Sequence, residues 1–186
     1  IYHMLAVNLR SFRQKVRHNK KELKGFLSRL LKDQPRGMDK LAASLEMDVW
    51  KEVDCLTCAN CCKTMSPTFT KTDIKRISKH FGQSPEAFTK QWLRKDRIGD
   101  ILNKTEPCQF LNLTDNKCSI YEIRPVDCSG FPHLHKKRMV DYIHVHKQNI
   151  EYCPATNRLV EKMEEQAPGA QGQSAPSMNN DKRSIM

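Results

Sequence analysis

Cys55-Leu56-Thr57-Cys58-Ala59-Asn60-Cys61-Cys62 puts four thiols within eight residues, and four more follow at Cys108, Cys118, Cys128 and Cys153. Three chemistries compete for such a set. Ordinary buried thiols explain a lone cysteine but not four so close together. A disulfide framework suits a small secreted protein. Here no export signal is visible, and neighbours such as Cys61 and Cys62 bridge to each other only with strain. A metal site fits better. Two intervening residues let the sulfurs of Cys55 and Cys58, and of Cys58 and Cys61, turn towards one point in a tight loop.

All eight cysteines are therefore expected as metal ligands, in one or two centres. Three cysteines at two-residue spacing with a distant Cys153-Pro154 follow the run of bacterial-type cluster proteins. Cys62 directly follows Cys61 and does not easily face the same metal, so it turns to a second centre or bridges. Eight thiolates suffice for two four-cysteine sites or one polynuclear centre. Softness does not separate the candidates, because zinc and iron–sulfur both accept all-thiolate sites. An iron–sulfur cluster is preferred over Zn2+.

Outward from the cysteines, the flanks read as helices. Residues 5–31 carry apolar side chains at helical spacing (Leu5, Leu9, Phe12, Val16, Leu23, Phe26, Leu27, Leu30, Leu31) opposite a Lys/Arg-rich face, and Gln34-Pro35-Arg36-Gly37 ends the run. A second helix is expected over 38–50, with Leu41, Leu45 and Trp50 inward. The basic helix would dock on a membrane or an acidic partner, or pack on the cysteine domain; its apolar stripe favours packing. Ser66 to Thr70 reads as an extended link. Thr72 is expected to cap a helix running to Phe81, stopped by Gly82. Ser84-Pro85 opens another, with Phe88, Trp92 and Leu93 inward. Strands are expected over 98–102, 108–111 and 117–121, with a polar turn at 112–116. Residues 140–150 read as helical, and Thr156 is expected to cap a last helix ending near Glu165. Residues 166–186, rich in Gly, Ser, Gln, Asn and Pro, read as a disordered tail.

The chain has 186 residues, 38% apolar and 28% charged, with a formal net charge of +11. Residues 1–54 hold 12 Lys/Arg against 7 Asp/Glu, residues 55–153 hold 16 against 10, and the remainder 4 against 4. Such a spread suits weak attraction to nucleic acid or an acidic surface, but not a specific reader. Eight thiolates around two divalent ions would also cancel about four of those charges. No run of twenty apolar residues exists, so no transmembrane segment is expected. No secretory signal is visible, which suits a cytoplasmic protein, although the chain opens on Ile1 and an upstream signal could be missing. No Gly-x-Gly-x-x-Gly follows a strand, no Gly-Lys-Ser/Thr loop exists, and no Cys-x-x-x-Cys-x-x-Cys marks a radical enzyme.

The Cys55 to Cys62 run, then Glu106-Pro107-Cys108-Gln109-Phe110-Leu111, then Cys118-Ser119-Ile120-Tyr121-Glu122-Ile123-Arg124-Pro125-x-x-Cys128, then Phe131-Pro132, together resemble the YkgJ-type cysteine-cluster family from Cys55 to about Cys153. The resemblance implies chelation of zinc or iron. A similar cluster in flagellin lysine methyltransferases implicates an iron–sulfur centre. One departure is Ser129, where the family usually has Arg after the Cys128 position. A positive neighbour for the thiolates is missing there.

Tyr121 and Arg124 lie between two expected ligands and are cofactor-binding candidates. Arg124 would donate to thiolate or sulfide, or else pair with Glu122 or Asp127. Pro125 would hold the turn that returns Cys128. His133, His135, His144 and His146 are dense enough for an additional metal or acid–base site. However, alternating histidines diverge on a helix, and Lys136, Lys137 and Arg138 sit beside them, so solvated histidines are expected.

The expected fold is α+β, mostly helical with a short β-hairpin, in a small cysteine-rich metal-centred domain. Residues 1–54 form a basic helical arm packed on the core, 55–165 the metal-binding domain, and 166–186 the tail. The expected function is cofactor binding for electron transfer, redox sensing or metal handling, with a redox or protein partner that the sequence does not name. One alternative is an iron–sulfur-dependent methyl or other group transferase acting on protein lysines or a peptide. Another is a structural-zinc module that docks RNA or an acidic partner.

Overall fold

A computed structural model describes residues 7–134 and 138–167. It is mostly helical, with a two-stranded antiparallel hairpin. The helices are α1 (Leu9–Lys32), α2 (Met38–Glu52), α3 (Cys55–Cys58), α4 (Asn60–Thr64), α5 (Lys71–His80), α6 (Pro85–Trp92), α7 (Val126–Gly130), α8 (Ile143–Tyr152) and α9 (Pro154–Gln166). The strands are β1 (Leu93–Lys95) and β2 (Ile101–Asn103), paired in the register Leu93 to Asn103. Two 3-10 turns, Tyr121–Ile123 and Met139–Tyr142, complete the elements. No helix among the described residues is long and apolar enough to cross a membrane.

Two apolar cores organise the chain. The first joins its two ends. Phe26, Leu27 and Leu30 of α1 and Leu45 and Val49 of α2 pack with Ile143 and Ile150 of α8 and Leu159, Val160 and Met163 of α9. Each such side chain, fully buried, contributes about 1.5–3 kcal/mol. Ion pairs line the same contacts. Lys15 meets Glu161 at 2.5 Å, Lys20 meets Glu151 at 3.3 Å, Lys24 also meets Glu151, and Arg29 meets Glu164 at 3.0 Å. Part of the basic face of α1 is thus occupied within the molecule. The second core is smaller. Ile74 and Ile77 of α5, Phe88 of α6, Leu93 of β1 and Phe69, Phe110 and Ile120 from the connecting segments pack together, with Phe88 and Phe110 stacked 6.4 Å apart.

Several boundaries differ from the sequence expectation. The cap of α5 is Thr70, not Thr72. Its hydroxyl accepts from the Asp73 N–H while the Asp73 carboxylate accepts from the Thr70 N–H, and this reciprocal pair fixes the start two residues earlier. Ser84 and Pro85 open α6 as expected. The hairpin is placed differently: it pairs 93–95 with 101–103, and Ile98 is in the turn, 84% exposed, where Asp96 Oδ1 accepts from three successive N–H groups. Segments 108–111 and 117–121 form no ladder and meet only at the bridge Leu111 to Cys118. Thr156 does not cap α9; Cys153 stands at that position and Pro154 opens the helix. Leu5 and nearly all of the expected tail, 166–186, lie outside the described residues.

Candidate metal centre

Cys153 belongs to the first core, and Cys108 and Cys118 pack against the second. Asp54 caps α3, its carboxylate accepting from the Leu56 N–H at 2.9 Å. Ala59 then takes a left-handed conformation, φ 46° and ψ 20°, ending α3 and starting α4. A residue with a Cβ is held there at a cost of about 1 kcal/mol or more. This reversal brings the Cys55 to Cys58 turn back against Cys61 and Cys62. Asn60, 4% exposed, donates from Nδ2 to the Tyr152 carbonyl at 2.6 Å, which binds α4 to the end of α8 beside Cys153.

The remaining three cysteines reach Cys62 by another route. The Cys108 N–H donates to the Cys62 carbonyl at 2.9 Å. The Leu111 to Cys118 bridge, with Ser119 N–H on the Phe110 carbonyl at 2.8 Å, sets Cys118 beside Cys108. Arg76 holds the loop from Cys118 to Cys128 by donating to the carbonyls of Ile123, at 2.5 Å, and Arg124. Asp73, buried beneath it, accepts from Arg76 at 2.7 Å and from the Val126 N–H at 3.2 Å. Burial would raise the Asp73 carboxyl, but hydrogen bonds from Thr70, Arg76 and Val126 outweigh it and hold the pKa below its ordinary value.

All eight cysteines are free thiols. Sγ of Cys61 and Cys62 are 3.9 Å apart, well beyond a disulfide bond. The hydrogen bond between the adjacent thiols is the first cause that raises Cys61 and the first that lowers Cys62. Burial, then the charges of Cys153, Cys58 and Cys62, pushes the Cys55 thiol up to about 11. Burial, then Cys62, Cys108 and Cys118, raises Cys128. Each thiolate opposes its neighbours, and a shared cation is what would relieve all of them. Among the described residues, no group of three or more His, Cys, Asp or Glu side chains is spaced to hold a metal ion.

Polar hydrogens surround these sulfurs. Backbone N–H groups two residues onward, at Asn60, Phe110, Ile120 and Ala155, favour the thiolates of Cys58, Cys108, Cys118 and Cys153, although burial raises all four. Asn103 and Thr156 lie near Cys108 and Cys153 and favour their thiolates, while Asn103 Nδ2 and Thr156 Oγ1 are themselves buried without a hydrogen-bond partner. The sequence reading missed both. Thr156 was legible as a helix-start residue, three places after Cys153, but Asn103 carries no local signal.

Of the proposed cofactor-binding residues, Arg124 stacks on the Tyr121 ring at 3.8 Å and donates to the Tyr121 carbonyl at 2.5 Å. It makes no ion pair with Glu122 or Asp127 among the described residues, and its charge favours the Cys118 thiolate. Pro125 is buried and precedes α7, which carries Cys128. Ser129 donates to the Val126 carbonyl. His144 is exposed and His146 is 1% exposed, diverging on α8 as helical geometry requires; the expectation of solvated histidines fails at His146. Burial, then the charges of His133 and His144, lowers His146 to about 4. His133 takes φ 66° and lies 3.7 Å from Asp127. His135 is outside the described residues.

Free cysteines drawn from distant segments are the donor type that a zinc or iron site takes. The chain belongs to the CxxCxxCC family, whose model matches residues 54–157 and is described as a "putative zinc- or iron-chelating domain". It is also similar to an uncharacterized protein of Methanocaldococcus jannaschii, 31% identical over 81 residues, which is 42% of this chain and 43% of that protein. The chain thus matches less than half the length of this relative. No solved structure matches the chain.

Proposed function

We propose that the chain binds metal through Cys55, Cys58, Cys61, Cys62, Cys108, Cys118, Cys128 and Cys153, and that it uses an iron–sulfur centre for electron transfer, redox sensing or metal handling. What supports this reading is eight free thiols on segments tied together by the Asn60 to Tyr152 and Cys108 to Cys62 hydrogen bonds, in a family described as zinc- or iron-chelating. The Cys-x-x-Cys-x-x-Cys run and Cys153-Pro154 favour iron–sulfur. When bound, such a centre supplies a one-electron couple. The protein's part is to stabilise the thiolates with backbone N–H donors. Arg124 adds a positive charge beside Cys118, and Tyr121 holds that guanidinium by stacking. On this reading 55–165 is the metal-binding domain and 1–54 a helical arm supporting it; the compartment is cytoplasmic.

A structural-zinc site is the second reading. The 3.9 Å separation of the Cys61 and Cys62 sulfurs favours it, because that is about the edge of a tetrahedron with ~2.3 Å metal–sulfur bonds. A docking role for α1 has less support, since Lys15, Lys20, Lys24 and Arg29 are paired internally. Group transfer to a protein lysine would require an open metal position beside the thiolates.

The deciding experiment is anaerobic purification with iron, zinc and sulfide analysis and an optical spectrum. The iron–sulfur reading expects stoichiometric iron and sulfide and a visible absorbance that bleaches on reduction. Stoichiometric zinc in a colourless protein would replace it with the structural-zinc reading.

A further inference from the structure

We infer that the tip of the β1–β2 hairpin is a docking surface for an anionic lipid membrane, with Ile98 entering the acyl boundary and a collar of Arg94, Lys95 and Arg97 meeting the headgroups. The tip takes no part in the proposed metal centre.

Ile98 is 84% exposed, the most exposed large apolar side chain among the described residues. A single exposed aliphatic is ordinary on a protein surface. This one differs in how it is held and in what surrounds it. Asp96 Oδ1 accepts from the N–H groups of Ile98 at 3.0 Å and of Gly99 and Asp100 at 2.9 Å. The Asp96 N–H donates to the Asp100 carbonyl at 2.9 Å. Gly99 takes φ 102°, a conformation that glycine adopts without steric cost. The turn is closed on itself, and Ile98 faces solvent instead of folding back onto the second core.

The collar follows from strand alternation. Arg94 and Lys95 project from opposite faces of β1, and Arg97 follows in the turn; all three are exposed. Lys95 lies along the turn, its Cε 3.6 Å from where a Cβ on Gly99 would stand, which carries its ammonium towards the tip. At the root of the hairpin, Lys104 donates from Nζ to the carbonyl of Lys90, in the last turn of α6, at 3.0 Å. Among the described residues, Arg94, Lys95 and Arg97 make no ion pair, unlike Lys15, Lys20, Lys24 and Arg29 of α1. Asp96 is turned to the amides of the turn, which leaves Asp100 as the acid exposed at the tip.

Lys90, Arg94, Lys95, Arg97 and Lys104 form a cluster of the size that anionic lipid attracts, about four to eight cations. Shape selects a flat partner over a grooved one. Strands of three residues present little beyond their tip, whereas a ribbon that reads a nucleic-acid groove lays several residues of each strand along it. Ile98 also offers no ring on which a base could stack. An aliphatic side chain between cations matches the layers of a lipid leaflet, charge at the headgroups and hydrocarbon just beneath.

The test is co-sedimentation of the full chain with lipid vesicles. Wild type should bind vesicles containing phosphatidylglycerol, lose that binding as salt rises, and ignore vesicles of phosphatidylcholine alone. Arg94→Ala, Lys95→Ala and Arg97→Ala should each weaken binding about fivefold. Ile98→Asn should weaken it by about tenfold or more, and Asp100→Asn should strengthen it. These side chains are exposed, so the variants should keep the wild-type fold and metal content, which separates the result from the fate of the metal-binding reading. Ile98→Trp gives a direct readout: its fluorescence should shift to shorter wavelength with the anionic vesicles only. Failure of wild type to bind them would overturn the membrane role. Unchanged binding by Ile98→Asn would do the same, because adsorption would then be by charge alone. An equal loss from Lys21→Ala on α1 would assign the attraction to diffuse net charge and not to the hairpin. Tighter binding of RNA than of vesicles, lost in the same three alanine variants, would replace the membrane with a nucleic acid.

Discussion

Among the described residues, the helical core buries sixteen drawn from α1, α2, α8, α9 and their connections, whereas the hairpin core buries seven from between α2 and α7. The first has long helices, whose backbone groups are satisfied within each helix and whose apolar faces meet over many turns. The second has two short helices, a hairpin of three residues per strand and long connections. Apolar burial scales with area, so the second region depends more on its polar ties and on the cysteines. The two regions should respond differently to the same insult.

Metal removal is expected to have the largest effect, several kcal/mol, because ligand binding and folding are coupled in small thiolate domains. Hydrogen exchange after chelation should show amides from Asn103 to Cys128 losing protection before those of α1, α8 and α9. Uniform loss would mean that the two cores do not differ as described. Next come core truncations. Phe88→Ala should cost about 3–5 kcal/mol and Leu27→Ala about 2–5 kcal/mol by denaturant titration. Only Phe88→Ala should also reduce bound metal; equal metal loss from both would remove the contrast.

His146 supplies an acid-sensitive element in the helical layer. Its folded pKa, about 4, lies below the ordinary 6.5, so the fold tolerates only the neutral ring. Its contribution is present above pH 6.5 and is lost as pH falls from 6.5 towards 4, amounting to about 3 kcal/mol in the limit. Thermal melts of wild type and His146→Gln across that window should converge as pH falls; parallel curves would show that His146 is not responsible. In the other region, Asp73→Ala should cost about 2–3 kcal/mol by leaving the Val126 N–H and Arg76 without their acceptor. The smallest effect belongs to the exposed pairs of α1: Lys20→Ala should change stability by about 0–1 kcal/mol.

The same contrast governs what was legible in advance. In the helical layer, apolar spacing at Leu23, Phe26, Leu27 and Leu30 announces α1, because a helix writes its buried face into local periodicity. The cysteine motifs were equally plain. The hairpin was foreseen as an element but misplaced, since strands of three residues carry almost no period-2 signal and 108–111 and 117–121 have comparable β propensity. The caps were displaced for a related reason. Thr70 and Thr72 are chemically alike, and only the reciprocal bond with Asp73 selects between them. Asn103 was invisible because its meaning lies in burial beside Cys108, a contact made by tertiary packing. The sequence left Arg124 open between donating to thiolate and pairing with an acid, and tertiary placement stacks it on Tyr121.

Cys153 stands at the start of α9, twenty-five residues beyond Cys128 and ninety-one beyond Cys62. A polypeptide emerges from the ribosome in order, and its segments begin to fold before the rest is made. The proposed set of eight cysteines is complete only once Cys153 has been made. The helical core, which joins α1 and α2 to α8 and α9, closes at the same late stage, so the last helices complete the fold and the cysteine set together.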